Sequence, residues 1–154
     1  MTTIKKDDYV FSVDILKTEK YYKTHSLCDC AYCRNYYPQV KNAFPKLNAF
    51  LSEFGVDISK PDEIMSVETD EHISYIDVDY TVCGGIACTG KREIDIHDNL
   101  LLSISPSDGF VCPSEQSGEY FTLSVTNIAL PWVLDEPKPT EVKAKNILEK
   151  IFKK

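Results

Sequence analysis

What most constrains this chain is a change of hydrophobic period along its length. Near the start Phe11, Val13 and Ile15 alternate with Ser12 and Asp14, the period of two that a strand with one buried face requires. That alternation predicts a first strand over residues 9–18. Beyond a cysteine-rich stretch, Tyr36, Val40, Ala43, Phe44, Leu47, Phe50, Leu51 and Phe54 recur every three or four positions, which makes a helical stripe. Pro45 lacks an N–H and would collide with the preceding turn, so the stripe divides into helices over 34–43 and 45–54, with Pro38 in the first turn of the former. Gly55 is placed to end the second helix in the left-handed conformation, with Val56 supplying the accompanying apolar contact.

Period two then returns over 64–69, 74–83, 92–97, 100–105 and 119–126, most clearly in Ile76/Val78/Tyr80 and Phe121/Leu123/Val125. Short links between successive strands favour antiparallel pairing. Thr140 opens a last helix on which Ala144, Ile147, Leu148, Ile151 and Phe152 share one face. The expectation is an α+β fold: a mostly antiparallel sheet with two short helices after the first strand and a C-terminal helix.

With 154 residues and no Pro/Gly/Ser-rich linker, the chain reads as one domain over 1–154, able to bury roughly two-thirds of its unfolded surface. The formal net charge is −7, which argues against a surface that follows nucleic-acid phosphates. An acidic surface points instead to a basic protein partner. Lys143, Lys145, Lys150, Lys153 and Lys154 form the one basic concentration, read as the solvated face of the last helix. The first eight residues lack the apolar core of a signal peptide, and no apolar run is long enough to span a bilayer. A cytoplasmic protein without membrane contact is expected, and in a reducing compartment its six cysteines read as thiols or metal ligands rather than disulfides.

The densest local feature is His25-Ser-Leu-Cys28-Asp-Cys30-Ala-Tyr-Cys33-Arg34-Asn35. Cys30 and Cys33 have the two-residue gap of tetrahedral zinc sites, Cys28 adds a third thiolate, and His25 offers a nitrogen to complete a Cys3His set. Placing four ligands within nine residues is tight, so Cys83, Cys88 or Cys112 is an alternative distant ligand. Two other readings stand beside zinc: small buried residues where a loop becomes a helix, and a low-pKa redox thiol at Cys30 or Cys33. Arg34 either neutralises the thiolates or bonds a helix end or carboxylate. Trp132, flanked by aliphatics, reads as a core plug rather than a recognition anchor.

Three segments carry a family resemblance: Cys28-Asp-Cys30-Ala-Tyr-Cys33-Arg34-Asn35-Tyr36, Gly55-Val-Asp57-Ile-Ser-Lys60-Pro61-Asp-Glu63-Ile64, and Leu130-Pro131-Trp132. In these the chain resembles a family of small uncharacterised bacterial proteins marked by a C-x-C-x-x-C-R-N-aromatic motif. The resemblance implies a shared fold unit and a bacterial cytosolic setting, and it transfers no catalytic residue. Where the central strand of that family ends in an aromatic- and glycine-rich segment, this chain has Tyr80-Thr-Val-Cys83-Gly84-Gly85-Ile86.

A second candidate site follows from pairing strands 74–83 and 92–97 as a hairpin. The register that sets Tyr80 opposite Ile94 and Val78 opposite Ile96 aligns the apolar residues, because a one-residue slip would send one set to the other face. It also brings Asp77, Asp79, Asp95 and His97 together, either as a solvated acidic face or as ligands for a divalent ion that activates water. The readings in hand are a non-catalytic binding protein with a structural cysteine cluster and possible zinc, a metal-dependent enzyme using the Asp/His set, and a thiol redox protein.

Overall fold

A computed structural model of the chain describes residues 1–97, 100–105 and 118–152. Strands β1 (Thr2–Lys6) and β2 (Tyr9–Val13) form a hairpin whose turn places Asp7 at φ 50°, a conformation that Asp tolerates better than most residues. The first predicted strand is therefore shorter than expected and has an unexpected partner before it. It stops because Asp14 caps helix α1 (Ile15–Thr24), its carboxylate accepting the Lys17 N–H at 3.0 Å. The alternation Phe11/Val13/Ile15 runs across that boundary and belongs to a strand only as far as Val13.

Helices α2 (Ala31–Tyr36), α3 (Val40–Ala43) and α4 (Pro45–Glu53) follow. Pro45 stands in the first turn of α4, and Pro38 separates α2 from α3 instead of opening a helix. Gly55 ends α4 at φ +83°, and the Val56 N–H returns to the Leu51 carbonyl at 3.1 Å. A Cβ at Gly55 would lie 2.8 Å from the Ile15 carbonyl oxygen, so the same residue also lets α1 approach. Strands β3 (Glu63–Glu68), β4 (Ile73–Cys88), β5 (Ile94–Asp95), β6 (Leu101–Ser105) and β7 (Tyr120–Leu130) precede helix α5 (Pro139–Phe152). The fold is α+β with one antiparallel sheet, as the periodicity predicts.

The sixteen-residue β4 is its axis. One edge pairs with β7 from Ile73 to Cys83. The other edge pairs with β3 through its first half and with β2 near its end. Between those two partners α1 completes the edge: Thr18 Oγ1 accepts the Cys83 N–H at 3.0 Å, and the Tyr22 hydroxyl donates to the Thr81 carbonyl at 2.8 Å. Backbone groups that a missing strand would have met are thus satisfied by helix side chains. Strand order is β1-β2-β4-β7-β6-β5, with β3 beside β4.

One face of β4 and β7 presents Val78, Tyr80, Val82, Phe121, Leu123 and Val125 to the helices, and all are buried. Phe11 meets Phe54 edge-on and Phe121 stacked, both at 5.2 Å between centroids. Tyr36, Val40, Leu47 and Leu51 complete this core, while Phe50 is only half-buried, beneath Lys6. A bulge near Ile76 shifts the register against β3, so Tyr75 and Val78 are both buried while Ile76 is exposed. The expected alternation Ile76/Val78/Tyr80 therefore holds only from Val78 onward. Trp132 packs half-buried against the core, its indole N–H donating to the Glu136 carbonyl at 2.8 Å. No helix among the described residues is long and apolar enough to cross a membrane.

Candidate metal centre

The link from α1 to α2 carries the cysteines. Cys30 precedes the first residue of α2 in extended conformation, and the Arg34 N–H closes on its carbonyl at 3.0 Å. That entry places Cys33 one helical turn on, facing back toward Cys30. The Sγ atoms of Cys28, Cys30 and Cys33 all lie within 4.8 Å of one another, with Cys28 and Cys30 exposed and Cys33 buried. Thiolates on a tetrahedral zinc with bonds of about 2.3 Å stand about 3.8 Å apart, so a small contraction converts the triad into a ligand set.

The surrounding residues hold the loop in this shape. The Tyr37 hydroxyl donates to the Cys28 carbonyl at 2.6 Å, and Arg34 Nε donates to the Asp29 carbonyl at 3.0 Å. Arg34 Nη2 reaches the Glu136 carboxylate at 2.7 Å. Of its expected roles, Arg34 takes those of binding backbone and carboxylate. Tyr32 donates to Glu68 at 3.0 Å and meets Trp132 edge-on. Asn35 is fully buried: its amide donates to the Tyr75 hydroxyl at 3.1 Å and the Pro131 carbonyl at 3.0 Å, and its carbonyl oxygen accepts the Val133 N–H at 2.8 Å. The Tyr36 and Tyr80 hydroxyls share a hydrogen bond, and Tyr80 donates onward to the Ile58 carbonyl. Each residue of the Arg34-Asn35-Tyr36 run therefore ties the cysteine loop to the sheet or to the segment after β7.

Electrostatics separates the thiols. Burial pushes the Cys30 thiol upward, but hydrogen bonds from the Cys33 N–H, the Cys33 and Cys28 thiols and the Tyr32 N–H outweigh it, leaving Cys30 below its ordinary value. Burial, with hydrogen bonding to Cys30, drives Cys33 the other way. Backbone N–H groups aimed at a cysteine sulfur are the outer-shell support that a metal-bound thiolate uses.

His25 does not join this set. Its ring is 1% exposed, stacked on Tyr21 at 4.8 Å and set edge-on to Tyr22 at 5.1 Å. Neither ring nitrogen has a hydrogen-bond partner among the described residues, and Nε2 lies 4.0 Å from the Asp62 carboxylate. Asp62 accepts from the Tyr21 hydroxyl and, at 2.6 Å, from the Thr81 hydroxyl, and burial raises it. The sequence reading missed this His25–Asp62 pocket, because the two residues lie far apart in the chain and meet only when α1 lies against β4. Cys83 is buried and Cys88 exposed, and neither belongs to the thiol cluster; Cys112 lies outside the described residues.

The hairpin expected between strands 74–83 and 92–97 is not formed. Strand β7 occupies that edge of β4, setting Asp79 opposite Ser124 and Asp77 opposite Thr126, while β5 pairs with β6 through Ile94↔Leu102 and Asp95↔Leu101. Three strand spacings, about 14 Å, separate β4 from β5. The apolar pattern fitted the hairpin register, but a long antiparallel partner from beyond residue 118 fits it equally and buries more. Asp95 and His97 instead form an exposed local pair, with the His97 N–H on the Asp95 carboxylate at 2.8 Å. Asp77 and Asp79 remain neighbours on one face of β4; burial and the adjacent Asp77 raise Asp79 to about 6, against a hydrogen bond from Ser124. Among the described residues only Cys28, Cys30 and Cys33 gather three ligating atoms.

Comparison with protein-family models, with curated proteins and with solved structures finds no match.

Proposed function

We propose that the protein is a non-catalytic binding protein whose Cys28, Cys30 and Cys33 thiolates hold one zinc ion, fixing the loop between α1 and α2 as part of a surface for a partner. The convergence of three sulfur atoms within 4.8 Å in a loop braced by Tyr37, Arg34 and Asn35 carries this reading. Three protein ligands leave a fourth tetrahedral position, open on the exposed side of Cys28 and Cys30 to water or to a donor from the partner. The excess of acidic residues elsewhere favours a basic protein as that partner.

The test is elemental analysis of protein purified under reducing conditions without chelator. One zinc per chain is expected, lost from Cys30→Ser and Cys33→Ser and released together with thiol reactivity when a strong chelator is added. Protein that carries no metal and shows no competition with a chromogenic zinc indicator sinks the proposal.

A second reading is favoured by the opposite shifts of Cys30 and Cys33. An exposed thiolate beside a buried thiol across two residues suits reversible disulfide exchange, with Cys30 attacking and Cys33 resolving. A Cys30–Cys33 disulfide formed and reduced in a glutathione titration, in protein indifferent to zinc, is the outcome that would install it in place of the first.

A further inference from the structure

Two surfaces outside the cysteine loop are unusual for an isolated chain, and their properties match. The first is α5. Every described side chain from Glu141 to Ile151 is exposed, yet the helix carries an apolar stripe of Ala144, Ile147, Leu148 and Ile151, the three large members 54–58% exposed. Lys143, Lys145 and Lys150 flank that stripe, and the sequence continues with Lys153 and Lys154. An amphipathic helix derives most of its stability from packing that stripe against another surface.

The second is the outer face of β3 and β4, on the side of the sheet opposite the aromatic core. Met65 is 60% exposed, Val67 48% and Ile76 42%. Exposed Glu63 and half-buried Asp77 stand among them. Glu63, Ile64, Met65, Asp77 and Asp79 line a depression of about 170 Å³, large enough for one aliphatic side chain. This face is apolar with an acidic margin, whereas around the apolar stripe of α5 Lys143, Lys145 and Lys150 outnumber Glu141 and Glu149.

We propose that α5 of one molecule seats on the β3–β4 outer face of a second copy, and that the reciprocal contact makes a two-fold dimer. The chain itself supplies a basic amphipathic helix and an acidic apolar receptor in equal number, which is what a self-complementary two-fold interface needs. Helix α5 leaves from the margin of β3, where the Thr140 hydroxyl donates to Glu68 at 2.6 Å, so helix and face are presented at one end of the molecule. Two reciprocal contacts bury twice the area of one, toward the roughly 1,200 Å² at which stable interfaces begin. Leu148 enters the depression and Ile147 lies over Met65 at its edge, while Lys145 and Lys150 meet Glu63 and Asp77.

Sedimentation of the whole chain over micromolar to high-micromolar concentrations tests this. A dimer is expected whose dissociation constant rises about tenfold or more in Leu148→Asp and in Met65→Lys, each with unchanged far-ultraviolet circular dichroism because both side chains are already in solvent. Lys145→Glu with Lys150→Glu should weaken it, and adding Glu63→Lys to that chain should restore most of the loss. A wild-type monomer at every concentration overturns the proposal, whether its α5 amides exchange freely or are protected by folding back on their own sheet. So does a dimer that none of these substitutions weakens.

Discussion

His25 and Asn35 stand on either side of the cysteine loop, and both polar side chains are closed off from solvent. Asn35 has a partner for its amide and its carbonyl oxygen, drawn from β4 and from the segment after β7. His25 has ring contacts with two tyrosines and, among the described residues, no hydrogen bond at either nitrogen. A buried polar group that is fully bonded fixes the elements it joins; one that is not raises the energy of the state that buries it. The loop is thus anchored firmly where it enters α2 and weakly where it leaves α1, so thiol convergence depends on the α2 side.

Replacing each side chain by an apolar one of similar size tests this difference. Asn35→Leu strands the Val133 N–H and loosens the Pro131 carbonyl, and should cost about 3 kcal/mol in chemical denaturation. On the proposed zinc reading it should also weaken metal binding at the neighbouring triad. A loss below about 1 kcal/mol would show that the network is incidental.

The pH dependence should be the next largest effect. Asp79 is raised from 3.8 to about 6 by burial and by Asp77, and Asp62 is raised by burial. For such a group the unfolded chain ionises first as pH rises. The native state therefore holds the extra proton between 3.8 and about 6, and this contribution to stability is lost across that interval. Asp79→Asn should flatten the fall in stability over that window. An unchanged slope would place the titration elsewhere.

The smallest effect, and the sharpest contrast with Asn35, belongs to His25→Phe. The aromatic packing on Tyr21 and Tyr22 is kept and two nitrogens without a hydrogen bond are removed, against the loss of the attraction to Asp62, so stability should change by no more than about 1 kcal/mol. A loss as large as that of Asn35→Leu would mean that the imidazole makes a bond in solution that the comparison denies it.

The elements that rest on a repeated local pattern were legible in the sequence. Leu47, Leu51 and Phe54 form the helical stripe, Pro45 and Gly55 bound α4, and Phe121, Leu123 and Val125 lie inward on β7. The thiol triad was legible because its members are sequence neighbours. The rest depended on partners distant in the chain. Ile15 continued an alternation that Asp14 ends by capping, and β1 has only Ile4 buried, too little to signal a strand. Asp95 and His97 were drawn to Asp77 and Asp79 by a register that β7 satisfies instead. The apolar stripe of α5 was visible as a pattern, but its exposure was not, because periodicity says which residues share a face and nothing about what lies opposite.

The long strand β4 joins segments from opposite ends of the chain, β2 on one edge and β7 on the other, through residues as far apart as Val10 and Leu130. During synthesis the hairpin, α1 to α4 and β4 emerge well before β7, and until then β4 has an unpaired edge rich in Ile, Val and Tyr. Such an edge is a template for pairing with other chains. The nascent protein is therefore most exposed to aggregation in the interval before its last strand leaves the ribosome.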